Sequence, residues 1–563
     1  MAKMHFITKE PINKGWSNDR KYCVTDENGT RYLLRLSDMT YYDAKQSEFN
    51  RMKQVASLGV PMCLPLAFGT CEEGVYSVQS WIDGMDAEEV IPTLSDTEQY
   101  VYGLEAGRIL RRIHSIPAPE TQEDWESRFN RKMDYKIKKY KESPVQYEEG
   151  QAFIDYIDEN RYLLKGRPQV YQHGDYHIGN MMIDQGGQLR IIDFDRSDYG
   201  DPWEEFNRIV WCAQKSPLFA SGMVNGYFDG EVPLAFWKLL ALYISSNTLS
   251  SAYWAIPFGK EEVNTMINQA KEILGWYDHM RSPIPAWYFH GYYLQSIDDI
   301  PFKLKCPYDF SFMSKYGRVF KVFDDQDSGN ICFGTEKDGQ RYFVKFAGAP
   351  TEQYNGKASD AVKRLQSSLS VYKDLRHENL IRLIKAGDIG GGFAMVFQWA
   401  DGDCMGRMYP AAHHRFMQLP VSTRRNVFRD ILSFFEYLAS RHYVAIDFYD
   451  GSILYDFENG KTTICDIDFF RKQPCVNDRG RMWGSSHFQA PEEYRLGSVI
   501  DEVTNVYTMG ATAFALFGGY ERTRDKWQLS EKLFAVAAKA VSDDRSQRQQ
   551  PIKQFREEWE KIL

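Results

Sequence analysis

None of the nine cysteines stands in a C-x-x-C pair, so the chain lacks the signature of a zinc site or a disulfide framework, and a reducing cytoplasm fits it best. It also lacks positive charge in excess. A net charge of −9 argues against nucleic acid as the main partner and is compatible with cationic substrates. Long apolar runs are missing: the longest helical ones, near Leu239 to Ile244, are too short to span a bilayer, so no membrane partner is expected. Met1 to Pro11 has no apolar signal core. Hydrophobic residues themselves are plentiful, at 43% with 15% aromatic, which is a globular composition. At 563 residues the chain is too long for one ordinary core, and two domains of nearly 300 residues each are the natural division.

The most informative stretch is His173-Gly174-Asp175-Tyr176-His177-Ile178-Gly179-Asn180, followed by Ile191-Ile192-Asp193-Phe194-Asp195. A carboxylate precedes a carboxamide by five residues, and a second carboxylate follows 18 residues after the first. The intervening Met181–Asp184, Gly186-Gly187 and Leu189–Ile192 read as two short strands joined by a glycine turn, which lets the two ends lie side by side. Phosphoryl transfer needs an acceptor oxygen held in line, a base for its proton, and divalent metal to neutralise phosphate charge. Asp175 suits the base, and Asn180 and Asp193 are hard oxygen donors suited to Mg²⁺. One such Asp or Asn alone would merely cap a turn. Together at this spacing they form a pattern that resembles the aminoglycoside phosphotransferase and choline kinase families, relatives of protein kinases that phosphorylate small hydroxyl compounds. The resemblance implies Asp175 as catalytic base and Asn180 and Asp193 as metal ligands.

Upstream, Lys14-Gly15-Trp16-Ser17-Asn18 precedes a hairpin of Lys21–Thr25 and Arg31–Leu36 around the turn Asp26–Gly29, able to lay backbone N–H groups over phosphates. Arg35 stands where the kinase fold carries its phosphate-contacting lysine, with a planar fork in place of a point charge. A helix is expected over Asp43 to Leu58, with Phe49, Met52, Val55 and Ala56 on one face and Glu48 placed to orient Arg35. The strand from Val75 through Ser80, Trp81 and Ile82 corresponds to the hinge, whose backbone holds adenine in the kinase plan. Leu94 to Tyr162 is helix-rich, the kind of extra material with which small-molecule kinases wall their acceptor pocket, and His114 reads as a packed helix-end histidine. Asp201-Pro202 caps an acidic first turn only eight residues after Asp193, leaving no long segment to cradle a peptide.

Arg281–Pro285 breaks the helical pattern, and a boundary is expected near residue 300. Beyond it the order of parts recurs, as in a divergent tandem repeat. Residues 310 to 563 resemble a serine/threonine protein kinase. Lys345 matches the phosphate lysine, Gln398 and Trp399 the hinge, Asp447 the catalytic aspartate and Asp466 the metal aspartate. Gln489-Ala490-Pro491-Glu492 matches the end of an activation segment, with Arg548 the candidate partner of Glu492. There are departures. Ser452 occupies the metal asparagine's position, Asp-Ile-Asp replaces Asp-Phe-Gly, Asn505 stands for a buried aspartate, and Ser368 falls where the lysine's glutamate partner belongs.

The expected fold class is α+β: tandem protein kinase-like folds, 1–300 and 301–563, each with a small β-rich N-lobe and a larger helical C-lobe. The expected function is ATP- or GTP-dependent, Mg²⁺-assisted transfer of a γ-phosphate to a small-molecule hydroxyl, on an aminoglycoside-like or other hydroxylated amine. The alternative makes the second half the main unit, as a protein kinase with a protein substrate or as a pseudokinase regulator.

Overall fold

The computed structural model describes His5–Asn13 and Asp19–Ile562; the stretch Lys14–Asn18 lies outside the described residues. The chain divides into two compact units, Met1–Gly291 and Tyr292–Leu563. The passage falls at Gly291, short of the boundary expected near residue 300, and the stretch just beyond it belongs to the second unit. It forms a hairpin of the second unit, Tyr293–Ile297 paired with Ile300–Leu304, turned by Asp298 and Asp299 at φ 51° and 71°.

Each unit begins with a five-stranded antiparallel sheet, and both sheets have one strand order: first, second, third, fifth, fourth. In the first unit the strands are Phe6–Ile12, Arg20–Asp26, Arg31–Ser37, Pro65–Cys71 and Gly74–Ser80. Their turn chemistry is local. The Asp26 carboxylate accepts from the N–H groups of Asn28 and Thr30 at 2.9 Å each, and Gly29 takes the left-handed conformation at φ 79°. The period-two alternation then separates Leu34, Leu36, Val24 and Val78 into one apolar cluster, and Arg35 is turned to the opposite face. The helix Tyr42–Ser57 buries Phe49, Met52 and Val55.

The rest of the first unit is helical. Asp96–Ile113 starts at a capping box formed by Ser95 and Glu98. It crosses Pro217–Phe228 at unusually close range, because each helix presents two glycines four residues apart. A Cβ on Gly103 would lie 2.2 Å from the Phe219 carbonyl oxygen, one on Gly107 2.1 Å from that of Met223, and one on Gly226 2.1 Å from that of Leu104. The helices Trp125–Glu142, Gln151–Asn160, Leu234–Trp254 and Lys260–Trp276 complete this lobe. Its strongest polar tie is the fully buried Asp201, which accepts from Arg167 at 2.7 and 2.8 Å, from the Tyr243 hydroxyl at 2.6 Å and from the Trp203 N–H at 2.9 Å. Tyr243 in turn accepts from the Trp125 indole at 3.1 Å, so this aromatic belongs to the core.

The second unit repeats the plan with Arg318–Phe323, Asn330–Lys337, Gln340–Ala347, Leu383–Ile389 and Gly392–Gln398, the helix Ala358–Asp374, and a helical lobe that includes Val421–Ser440 and Glu502–Phe517. Two small three-stranded sheets also correspond: Gly84–Asp86 with Met181–Asp184 and Leu189–Ile191, and Asp403–Cys404 with Ile453–Asp456 and Lys461–Ile464. Both units are kinase-like, with a sheet-rich lobe and a helical lobe. No helix among the described residues is long and apolar enough to cross a membrane.

Candidate active site

In the first unit the loop from His173 to Asn180 leaves the short strand Val170–Gln172 and enters the Met181–Asp184/Leu189–Ile191 hairpin. Three bonds fold it onto the residues before Asp193. The His173 ring lies 3.0 Å from the Ile192 carbonyl through Nε2, Ile192 donates its N–H to the Asn180 carbonyl at 3.1 Å, and Asn180 Nδ2 donates to the Asp175 carbonyl at 2.9 Å. Gly174, at φ 87°, gives its N–H to the buried Glu205 at 2.9 Å. Glu205 also lies 3.7 Å from His114, whose Nδ1 is 3.0 Å from the Tyr227 hydroxyl, so His114 is the packed helix-end residue its position suggested. The structure thus brings Asp175, Asn180 and Asp193 to one place through local connections.

The amide of Asn180 spends its NH₂ on the Asp175 carbonyl, which leaves its oxygen as the acceptor end of the group. Two hard oxygens, an amide and a carboxylate, fit Mg²⁺, which takes one or two protein ligands and completes its shell with phosphate and water. Among the described residues no three His, Cys, Asp or Glu side chains converge into a closed metal cage.

Burial pushes the Asp175 carboxyl up, but His177, Arg208 and Arg196 outweigh it and hold the group well below the usual range. Arg208 Nε lies 3.2 Å from Oδ1, His177 Nε2 3.7 Å from Oδ1, and Arg196 Nη1 3.7 Å from Oδ2. Asp193 is half-buried, which raises it, yet a hydrogen bond shared with Asp195, the Arg35 guanidinium and Lys21 bring it down to about 2. Asp195 goes the other way, raised by burial and by that shared bond with Asp193.

Arg35, only 3% exposed, faces these carboxylates. Its Nη1 donates to Asp193 at 3.1 Å and its Nε to Asp19 at 3.0 Å, and a further ion pair joins it to Asp195. The expectation that Glu48 orients Arg35 needs correcting. Glu48 pairs with Lys45 at 3.0 Å, and Lys45 reaches Asp19 at 2.7 Å, so the helix is coupled to Arg35 through a relay. The reason is reach: Lys45 lies one turn before Glu48 on the same helix face and meets it first. Hinge residues are also partly committed. The Ser80 N–H donates to the Leu64 carbonyl at 2.9 Å and its hydroxyl accepts from the Leu64 N–H at 2.8 Å, which takes both groups out of adenine recognition. Trp81 and Ile82 follow directly, before the strand Gly84–Asp86.

In the second unit Lys345 Nζ lies 2.7 Å from Asp466 and 2.7 Å from Asp468. Burial lowers the pKa of this lysine, but the two carboxylates more than compensate and raise it. Arg35 and Lys345 therefore grip the same D-x-D pattern in the two units. Ser368 donates only within its own surroundings, to the Leu365 carbonyl at 2.9 Å, and the residue of that helix that reaches the site is Tyr372, whose hydroxyl donates to Asp468 at 2.8 Å. Ser452 is fully buried and its hydroxyl has no hydrogen-bond partner among the described residues. Asp447 has no cation like Arg208 beside it. Burial, then Asp466, Asp327 and Asp468, push it up to about 7. At the hinge, the N–H groups of Gln398 and Trp399 donate to the Arg382 and Arg341 carbonyls at 2.9 and 3.2 Å, so neither is free for a purine. Asn505 accepts from the Ala445 N–H at 2.8 Å and donates to the Tyr443 carbonyl at 3.0 Å, which explains how an amide serves at that buried position. Glu492 meets Arg548 at 2.8 and 3.0 Å, the pairing expected from sequence, and Arg545 joins it at 3.0 Å.

Sequence reasoning missed Asp19, Lys21, Lys45, Arg196 and Arg208 in the first unit and Tyr372 in the second. The signal for Arg196 was their closeness to Asp195 in the chain. Lys21, Lys45 and Tyr372 lie on elements the sequence does mark, but nothing local says that they turn to the site; Asp19 and Arg208 carried no signal.

Residues 8–237 match the sequence model of the phosphotransferase enzyme family known as APH, and residues 327–562 match that of the protein kinase domain. No curated protein matches the chain. Among solved structures, a choline/ethanolamine kinase family protein from Mesorhizobium loti is similar at 18% identity and a TM-score of 0.37, over 49% of this chain and 91% of its own.

Proposed function

We propose that this chain, a kinase-type phosphotransferase built from two kinase-like domains, transfers the γ-phosphate of ATP or GTP to a small-molecule hydroxyl in its first unit. The observation that carries the reading is the juxtaposition of Asp175, Asn180 and Asp193 on one loop and hairpin, faced by Arg35. Asn180 and Asp193 would hold Mg²⁺, which neutralises phosphate charge when bound. Arg35 and Lys21 face the nucleotide side of Asp193, and Asp175 faces the acceptor. In the transfer the acceptor oxygen bonds to the γ-phosphorus, the bond to the β,γ-bridging oxygen breaks, and that electron pair leaves on the nucleoside diphosphate. The hydroxyl proton passes to Asp175 and on to solvent. A carboxylate held so far below the usual range is a weak base. Its main task is then to aim the hydroxyl in line, which suits a loose transition state that needs little deprotonation.

Asp175→Asn should lower turnover by about 10²–10⁴-fold while nucleotide affinity stays within a few-fold, since it removes the carboxylate that aims the hydroxyl and takes its proton and not a phosphate anchor. Steady-state kinetics with nucleoside diphosphate release as the readout checks this. Unchanged turnover would remove Asp175 from the role.

We further propose that the second unit is impaired as a kinase. Support comes from the buried Ser452 hydroxyl and from an Asp447 surrounded by like charges. Its formed Glu492–Arg548 pair favours a folded protein-facing platform and keeps a regulatory role as the second reading. Nucleotide-dependent metal binding, described at the end of the Discussion, separates the two units.

A further inference from the structure

Cations gather beside Asp175. Arg208 and Arg196 touch the Asp175 carboxylate itself. The helix Trp125–Glu142 adds Lys132 and Lys136, one turn apart, of which Lys132 sits 3.5 Å from Glu204. Glu204 is fixed in turn by Gln172 Nε2 at 3.1 Å, at the foot of the His173–Asn180 loop. Arg128, a turn earlier, is already spent on Asp198 and the Tyr199 carbonyl.

That leaves four basic side chains, Arg196, Arg208, Lys132 and Lys136, against three carboxylates, Asp175, Glu204 and the Glu205 that accepts from Gly174, a small excess of positive charge beside Asp175. Lys136 is the telling member. It is half-buried and has no ion-pair partner among the described residues. Burial, followed by its neighbours Lys132 and Arg208, brings its ammonium down to about 7 against the opposing pull of Glu204. A partly desolvated ammonium among other cations is destabilised unless an anion joins it. A substrate ammonium would face the same repulsion, while a carboxylate or phosphate would be drawn in and held.

We propose that the acceptor of the first unit is an anionic alcohol, a hydroxyl compound bearing a carboxylate or a phosphate, whose charged end docks among Lys132, Lys136 and Arg208 while its hydroxyl meets Asp175. The proposal rests on the reading of Asp175 as the acceptor-facing group. It departs from the expectation of an amine acceptor that the net charge allowed: what counts is the local field at the cleft.

The test uses the full chain and four probes of matched size: glycerate, glycerol 3-phosphate, glycerol and ethanolamine. With a non-hydrolysable nucleotide and Mg²⁺ saturating the nucleotide side, calorimetry should show the two anionic probes binding at least about tenfold more tightly than glycerol or ethanolamine. Lys136→Glu should abolish that preference, and Lys136→Arg should retain it. Comparing glycerate with glycerol 3-phosphate tells which anion is the better fit. Equal binding of all four probes, tighter binding of ethanolamine, or a preference untouched by Lys136→Glu would overturn the proposal. Because binding is read without turnover, these results stand apart from the Asp175→Asn kinetics that test phosphoryl transfer itself.

Discussion

Arg35 shows most clearly how one side chain organises the carboxylates around Asp193. It is almost fully buried, and its guanidinium fork joins Asp19 on one side to Asp193 and Asp195 on the other. A lysine ammonium is a single point of charge and would not span these partners in the same way. The arginine is thus matched to a three-carboxylate site, whereas Lys345 in the second unit serves two. Replacing Arg35 with Met would keep much of the bulk and remove the charge, stranding three buried or half-buried carboxylates. Breaking a buried ion pair from one side costs about 3–5 kcal/mol, and denaturant unfolding of Arg35→Met should show a loss of that order for the first unit. A loss under about 1 kcal/mol would mean the carboxylates relax to solvent and that the network is not structural. The sequence made Arg35 legible because it lies two residues beyond Leu33 on a hairpin whose turn is spelled out by Asp26–Gly29. Its true partners were not legible: Asp19 lies 16 residues upstream, and Lys45 intercepts Glu48 on a helix face crowded with charge.

At the scale of elements, the crossing of Asp96–Ile113 with Pro217–Phe228 fixes the floor on which the His173–Asn180 loop rests. Tyr176, the residue after Asp175, is fully buried and donates its hydroxyl to the Ala106 carbonyl at 2.7 Å, one residue before Gly107. Gly107→Ala decides between two effects. Alanine improves helix propensity by about 1 kcal/mol, but its methyl would sit 2.1 Å from a backbone carbonyl that cannot rotate away. Overpacking of this kind costs about 1–3 kcal/mol or more, so a net loss of stability is expected in thermal unfolding. An unchanged or higher melting temperature would show that the helices slide apart freely. The pairs Gly103/Gly107 and Gly222/Gly226 were visible as four-residue spacings in the sequence, but nothing in the sequence said that they face each other. By contrast, the strands and the helix Tyr42–Ser57 followed from local periodicity and turn residues alone, within a residue or two of expectation. The hairpin Tyr293–Leu304 did not, because its apolar residues gain their pattern only by packing under the second sheet.

For the whole molecule, the two units share sheet order, D-x-D pattern and strand cation, yet Asp175 and Asp447 lie in opposite fields. Asp175 has cations beside it from several segments, while the charges that act most on Asp447 are the carboxylates Asp466, Asp327 and Asp468, opposed by Lys345. Tandem order was legible because it is written in recurring local motifs. The sign of each field was not, because Arg208 meets Asp175, and Lys132 meets Glu204, only after the helical lobe has folded. The same limit applies to net charge: −9 over the chain says little about a cleft whose nearest side chains are basic.

The central claim is that Asn180 and Asp193 hold a metal–nucleotide complex in the first unit. Electron paramagnetic resonance of Mn²⁺, titrated into the full chain with a non-hydrolysable ATP analogue, tests it most directly. The nucleotide-dependent bound signal should be present in the wild type, fall at least about tenfold in affinity in Asp193→Asn, and persist in Asp466→Asn. A signal that survives Asp193→Asn and disappears in Asp466→Asn would contradict the account and move the working site to the second unit.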